Sequence, residues 1–262
     1  MFTTDINGIA VLRILEAIRL LNPKIKFFQA SSNDMFGKIQ EFPQNEKTSF
    51  YPGNTSGIAK LYGHWITVNY RESYDIFACS GILFDHDSPL SNRQSVPGLI
   101  SNSVARIKMG LQDKLTLGNI EISRDLGYAE EYVEAMWLML QQDKPDDYVI
   151  ATGETHAVRE FIQAAFNSAG INITWTGTGQ DEQGVDVRTG KTLVALELRF
   201  SSVNPTSAAA LVRGHSGSRA PSQGDYTKAK EKLGWEPKVK YKELLHMMVE
   251  HDLKQAKEST NK

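Results

Sequence analysis

Cysteine is almost missing from this chain. Cys79 alone among 262 residues cannot close an internal disulfide, and its neighbours Ile76-Phe77-Ala78-Cys79-Ser80-Gly81-Ile82 read as a buried strand. A disulfide-stapled secreted scaffold is thereby excluded, and a reducing, cytoplasmic setting is expected. A surplus of positive charge is missing as well: 29 Lys and Arg against 31 Asp and Glu leave a formal net charge of -2. Nothing in that balance drives binding to a phosphate backbone, so nucleic acid is not an expected partner. No long apolar run occurs either. The most apolar early stretch, residues 9–21, carries Arg13, Glu16 and Arg19 at helical spacing. That is an amphipathic helix rather than a signal peptide or a span, and no membrane association is expected. Metal-ligand spacing is also wanting, because His246 and His251 lie five apart with no cysteine cluster beside them. No metal is predicted.

What the chain does have is a regular alternation. The helical pattern of 9–21 stops at Asn22-Pro23 and is followed by the β-prone run 25–30; a helical pattern over 56–74 is followed by 76–84, apolar on both faces. Strands with two apolar faces, separated by helices, belong to a parallel sheet covered on both sides, so the 25–31 and 76–84 segments are predicted to be parallel neighbours. Helices over 96–109, 128–142, 158–169, 227–233 and 241–256, with strands over 115–117, 148–151 and 171–175, continue the theme. The expected fold class is α/β: an incomplete Rossmann-like parallel sheet in 1–112, followed in 113–262 by a smaller C-terminal α/β substrate lobe. Within it, 196–224 is rich in Ser, Ala, Gly and Arg and is expected to be irregular loop. In a parallel sheet, ligands sit at the carboxyl ends of strands, and strand 25–31 delivers Ser31-Ser32-Asn33-Asp34 there. Hydroxyls and a carboxylate suit sugar chemistry; by themselves they suit an ordinary polar turn better.

The strings Gln29-Ala30-Ser31-Ser32-Asn33-Asp34-Met35-Phe36-Gly37, Phe50-Tyr51-Pro52, Ala59-Lys60-Leu61-Tyr62, 65–74, Gly81-Ile82-Leu83-Phe84, Leu117-Gly118-Asn119, Arg124-Asp125, 147–153, Val158-Arg159-Glu160-Phe161 and 230–237 together resemble the GDP-mannose 4,6-dehydratases, NADP-dependent extended short-chain dehydrogenases/reductases. The resemblance implies a lyase converting GDP-mannose to GDP-4-keto-6-deoxymannose on the route to GDP-fucose, by internal hydride transfer through NADP. In that reaction a Tyr, tuned by a Lys one helical turn on, takes the sugar 4-hydroxyl proton. A Ser or Thr polarises the same oxygen, and a carboxylate removes the C5 proton.

Carried over position by position, the resemblance makes Ser32, Asp34, Ser56 and Lys60 the catalytic positions, Lys60 and His86 the cofactor contacts, and Arg124 the nucleotide-sugar phosphate contact. It implies self-association through helices such as the one carrying Lys60. Two departures stand out. Asp34 is one methylene shorter than the family's Glu, and Ser56 stands where the family has the base Tyr, a shorter and far less acidic hydroxyl. The glycine-rich strand-to-helix turn of the family has no counterpart: the start of the chain matches the family's fourth helix, so it reads as N-terminally truncated relative to the family. The alternatives are a non-catalytic nucleotide-sugar-binding or regulatory partner derived from the dehydratase, or an incomplete gene product.

Overall fold

Strand geometry follows from burial. The segment Ala-Cys-Ser-Gly-Ile-Leu is buried at every position, so only a place in the middle of a helix-covered sheet satisfies it. A computed structural model of the chain describes residues 2–91, 93, 95–197 and 221–260. In chain order its main elements are α1 (Ala10–Leu21), β1 (Phe27–Ser32), α2 (Thr55–Tyr74), β2 (Ala78–Leu83), α3 (Val96–Lys108), β3 (Leu115–Leu117), β4 (Ser123–Arg124), α4 (Ala129–Gln141), β5 (Asp147–Ile150), β6 (His156–Ala157), α5 (Val158–Ser168), β7 (Ile173–Thr176), β8 (Gln183–Asp186), β9 (Thr192–Leu196), α6 (Thr227–Leu233) and α7 (Tyr241–Thr260). The described residues form two compact units: one from 2–86, 125–155 and 221–238, the other from 87–124, 156–197 and 239–260.

The first unit holds a parallel sheet of order β1-β2-β5, with Phe27 opposite Ala78 and Ser32 opposite Leu83. The predicted parallel pairing of the 25–31 and 76–84 segments is what the structure shows. One face is covered by α1 and α2, through Leu15, Ile18 and Tyr70, with Ile76 just after α2. The other is covered by α4 and α6, through Tyr132, Ala135, Met139, Ala229 and Leu233, with Trp235 just after α6. Fully burying side chains of this size is worth roughly 1.5–3 kcal/mol each, which is the main driving force for closing the layers. Arg71 of α2 ties helix to sheet: its guanidinium donates to both carboxylate oxygens of Asp147 at 2.8 and 2.9 Å and to the Ala78 carbonyl at 3.0 Å. The outer edge of β5 is closed by side chains, since the Glu46 carboxylate accepts from Val149 N at 2.8 Å and Lys228 Nζ donates to Asp147 O at 2.8 Å. A capped edge is a poor template for foreign strands.

In the second unit, four strands run in the order β3-β9-β8-β7, β9 parallel to β3 and the rest antiparallel. Helix α7 lies against α3 and α5, burying Leu244, Leu245, Met248 and Val249. Strands β8 and β9 were not legible in the sequence: Gly184 weakens one and Gly190 at φ 71 interrupts the run between them, so no sustained alternation survives. Of the segment 196–224 expected to be irregular, 198–220 lie outside the described residues; Leu196 ends β9 in register with Leu117. No described helix is long and apolar enough to cross a membrane.

Asp125 joins three stretches of the first unit. One of its carboxylate oxygens accepts from Thr152 N at 2.8 Å and Thr152 Oγ1 at 2.6 Å; the other accepts from Gly153 N and Gly224 N, both at 3.1 Å. Burial outweighs these four donors and pushes the carboxyl up to about 6. A folded pKa above the unfolded value near 3.9 means that the folded chain holds the proton more tightly; this contribution to stability is complete below about pH 4 and is lost as pH rises to about 6. Replacing Asp125 by Asn would turn an amide donor toward two backbone N–H groups and leave them unsatisfied. The expected loss is about 2–4 kcal/mol in urea unfolding at pH 7, together with disappearance of the Asp125 share of the slope between pH 4 and 6. A variant within ~0.5 kcal/mol of the parent would refute the clamp.

Candidate active site

Ser32 ends β1 in extended conformation, and its Oγ accepts from Asp34 N at 3.1 Å, which starts the single 3-10 turn Asn33–Met35. Ser32, Asp34, Ser56 and Lys60 are all half-buried. Helix α2 begins beside this turn. Asn54 caps it, its side-chain oxygen accepting from Gly57 N at 2.7 Å. A Cβ on Gly57 would stand 2.5 Å from the Asp34 carbonyl oxygen, closer than carbon and oxygen can approach. The first turn of α2 therefore rests directly on the Ser32–Asp34 turn because residue 57 has no side chain. Ser56 precedes that contact, and Lys60 lies one helical turn beyond Ser56 on the same face. The Lys60 side chain reaches back to β1, its Nζ donating to the Ala30 carbonyl at 2.7 Å. Desolvation holds the Lys60 ammonium below its ordinary range, with the Asp34 charge acting in the opposite direction.

One turn further along α2, buried His64 places Nδ1 3.3 Å from Ser31 Oγ. Its ring meets Phe50 and Trp65 edge-on, and burial pushes its pKa down. Lys60 and His64 thus bond to consecutive residues of β1, fixing the helix and the strand end in register. His86 follows β2. Its Nδ1 lies 2.8 Å from the Phe84 carbonyl, which can only accept, so the bond places a proton on Nδ1. The exposed ring stacks on Tyr132 at 4.7 Å.

The first unit therefore gathers Ser32, Asp34, Ser56 and Lys60 around one strand end and sets His86 after the neighbouring strand. Arg124 belongs to the second unit, in β4, where it is in antiparallel register with His156 of β6. There His156 Nδ1 contacts Glu160 at 2.9 Å, and the imidazole stacks on Tyr241 at 3.7 Å. Among the described residues, no group of three or more His, Cys, Asp or Glu side chains is placed to hold a metal ion. Sequence reasoning passed over Gly57 and His64. A glycine in the first turn of a helix that propensity does not ask for was the available signal; nothing distinguished His64 from an ordinary core histidine.

A sequence profile of the family described as GDP-mannose 4,6 dehydratase matches residues 1–248. The human GDP-mannose 4,6 dehydratase is 45% identical over 99% of this chain and 67% of its own length. That of Sinorhizobium fredii (strain HH103) is 44% identical over 96% of this chain and 69% of its own length, and that of Drosophila melanogaster is 44% identical over 96% and 61%. Among solved structures, RMD from Pseudomonas aeruginosa complexed with NADPH superposes with a TM-score of 0.76 at 18% identity, over 96% of this chain and 74% of that one. The dTDP-glucose 4,6-dehydratase of Bacillus anthracis in complex with NAD gives 0.75 at 17% identity, over 97% and 70%. Similarity of that order shows the fold alone. The profile match and the identity across nearly the whole chain show more: the chain belongs to the GDP-mannose 4,6-dehydratase family.

Proposed function

We propose that this protein acts on GDP-mannose or a closely related nucleotide sugar with NADP, as a 4,6-dehydratase whose acid–base step is weakened by Ser56. The observation that carries this reading is the direct seating of the α2 first turn on the Ser32–Asp34 turn, which brings a hydroxyl, a carboxylate and a half-buried ammonium to one strand end. Lys60 and His86 fit the nicotinamide end of the cofactor, the one as a cationic donor and the other as an exposed ring anchored through Nδ1 to the Phe84 carbonyl. NADP, when bound, supplies the acceptor and returning donor of hydride. Ser32 donates to the sugar C4 oxygen, and Asp34 removes the C5 proton and passes a proton to the departing 6-hydroxyl. Lys60 holds positive charge beside the C4 oxygen as its proton leaves. Ser56 occupies the place of the base, where an aliphatic hydroxyl with a pKa far above neutrality leaves that proton to water.

In the second unit, Arg124 is the candidate for the nucleotide phosphate, for which a planar guanidinium is suited. Self-association through α2 belongs to the same reading, since Ile58, Tyr62 and Trp65 are exposed at helical spacing on that helix. The lone thiol, Cys79, is buried and pushed up by burial, which suits a reducing cytoplasm. A second reading, a nucleotide-sugar-binding or regulatory partner without turnover, draws on Ser56 itself.

Formation of the 4-keto-6-deoxy product from GDP-mannose and NADP, followed by mass spectrometry, separates the two. Ser56→Tyr should raise turnover by roughly 10²–10⁴-fold, the usual worth of a positioned acid–base group. Binding without turnover in that variant would favour the partner. Asp34→Asn in the same background should lower kcat with little change in KM. Arg124→Met should weaken GDP binding about tenfold or more, as read by calorimetry. Gly57→Ala should cost about 1–3 kcal/mol in thermal unfolding, because the Asp34 carbonyl must move; an unchanged melting curve would show that the turn and the helix are not in contact.

A further inference from the structure

His86 is exposed, and the ring on which it rests is not. Its imidazole is fixed along one edge by the bond from Nδ1 to the Phe84 carbonyl at 2.8 Å. One face lies on the Tyr132 ring, with centroids 4.7 Å apart and planes inclined by 26°. Tyr132 of α4 is fully buried, and its ring is boxed in. The Trp235 ring meets it edge-on at 6.0 Å and is itself tied by Nε1 to the Glu131 carbonyl at 2.9 Å. A Cβ on Gly127 would stand 2.8 Å from the Tyr132 hydroxyl oxygen, so the phenol fits only because residue 127 has no side chain. Burial, and after it the charges of Asp125 and Asp85, push the phenol well above its ordinary range, which makes it an uncharged platform at neutral pH. The hydroxyl finds no hydrogen-bond partner among the described residues. Burying a hydroxyl without a partner is costly, so the ring rather than the oxygen is what this position supplies.

We propose that Tyr132 is a positioning residue whose buried ring orients the His86 imidazole for the nicotinamide end of the cofactor. This rests on the function proposed above and adds to it a residue that, being fully buried, acts only through His86. A ring bonded at one edge can still pivot about that bond. A second contact across its face, made by a side chain that cannot itself move, removes the pivot. The imidazole is then ordered before any ligand arrives, and binding does not have to supply that ordering. Phenylalanine would serve as well, because the hydroxyl takes no part.

The test reads His86 and the cofactor separately in the full chain: the His86 ring protons by NMR, assigned by their loss in His86→Ala, and NADPH affinity by fluorescence. In the parent those protons should lie upfield of a solvated histidine, shielded by the ring beneath. Tyr132→Phe should keep both the shift and the affinity. Tyr132→Leu should return the protons to the solvated position and weaken NADPH binding about tenfold, the upper worth of an aromatic pair. In a His86→Ala background the same substitution should weaken NADPH no further, since Tyr132 acts through His86. Unshifted His86 protons in the parent would overturn the proposal. So would an equal loss from Tyr132→Leu with and without His86, which would leave Tyr132 a structural role alone. A parent that shields His86 but does not bind NADPH would overturn the cofactor assignment, and with it the purpose of the orientation, but not the orientation itself. Should Tyr132→Leu fail to fold, Gly127→Ala displaces the ring without emptying its place: the shielding should change, and NADPH should weaken only where His86 is present.

Discussion

The contact between Gly57 and the Asp34 carbonyl is the constraint on which the candidate site depends. A helix packed on a strand is normally held off by a layer of side chains, and here that layer is missing at one point. Removing it lets the first turn of α2 touch the turn after β1, so residues over twenty positions apart share one strand end. The same device recurs along the helix, where a Cβ on Gly63 would stand 2.9 Å from the Asn7 carbonyl. Glycines inside a helix cost about 1 kcal/mol each relative to alanine, a cost offset here by the close approach that they allow.

Around that contact, polar groups fix position where apolar packing fixes only proximity. Lys60 and His64 bond to Ala30 and Ser31, Arg71 grips Asp147 and the Ala78 carbonyl, and Asp125 gathers the N–H groups of Thr152, Gly153 and Gly224. Each bond alone contributes little net stability; leaving any one partner unsatisfied after burial is far more costly. Directional bonds of this kind set the register of helix on sheet, which the apolar layers of α1, α2, α4 and α6 would tolerate in several arrangements.

The substitution at position 56 changes the chemistry that this scaffold can support without changing the scaffold. With Ser56 in place, Asn54 caps α2, Gly57 seats it, and Lys60 reaches the Ala30 carbonyl. On the function proposed above, the ammonium of Lys60 and the carboxylate of Asp34 are kept at the strand end while position 56 carries an aliphatic alcohol.

The alternation of amphipathic and wholly apolar segments determined, without any structure, that β1 and β2 are parallel neighbours under helices, because only a covered parallel sheet buries both faces of a run such as Ala78–Leu83. Strings of residues around Ser32, Lys60 and Arg124 were enough to mark the family, since short runs along one helix or one strand end are local properties. Strands β8 and β9 escaped because a glycine-broken hairpin carries almost no periodic signal. What only the tertiary structure decided is of another kind: the contact of Gly57 with Asp34, the desolvation of Lys60, the bond of His64 to Ser31 and the convergence of three chain segments on Asp125. Each depends on groups distant in sequence being brought within bonding distance, and neither a residue's identity nor its neighbours in the chain specify that distance.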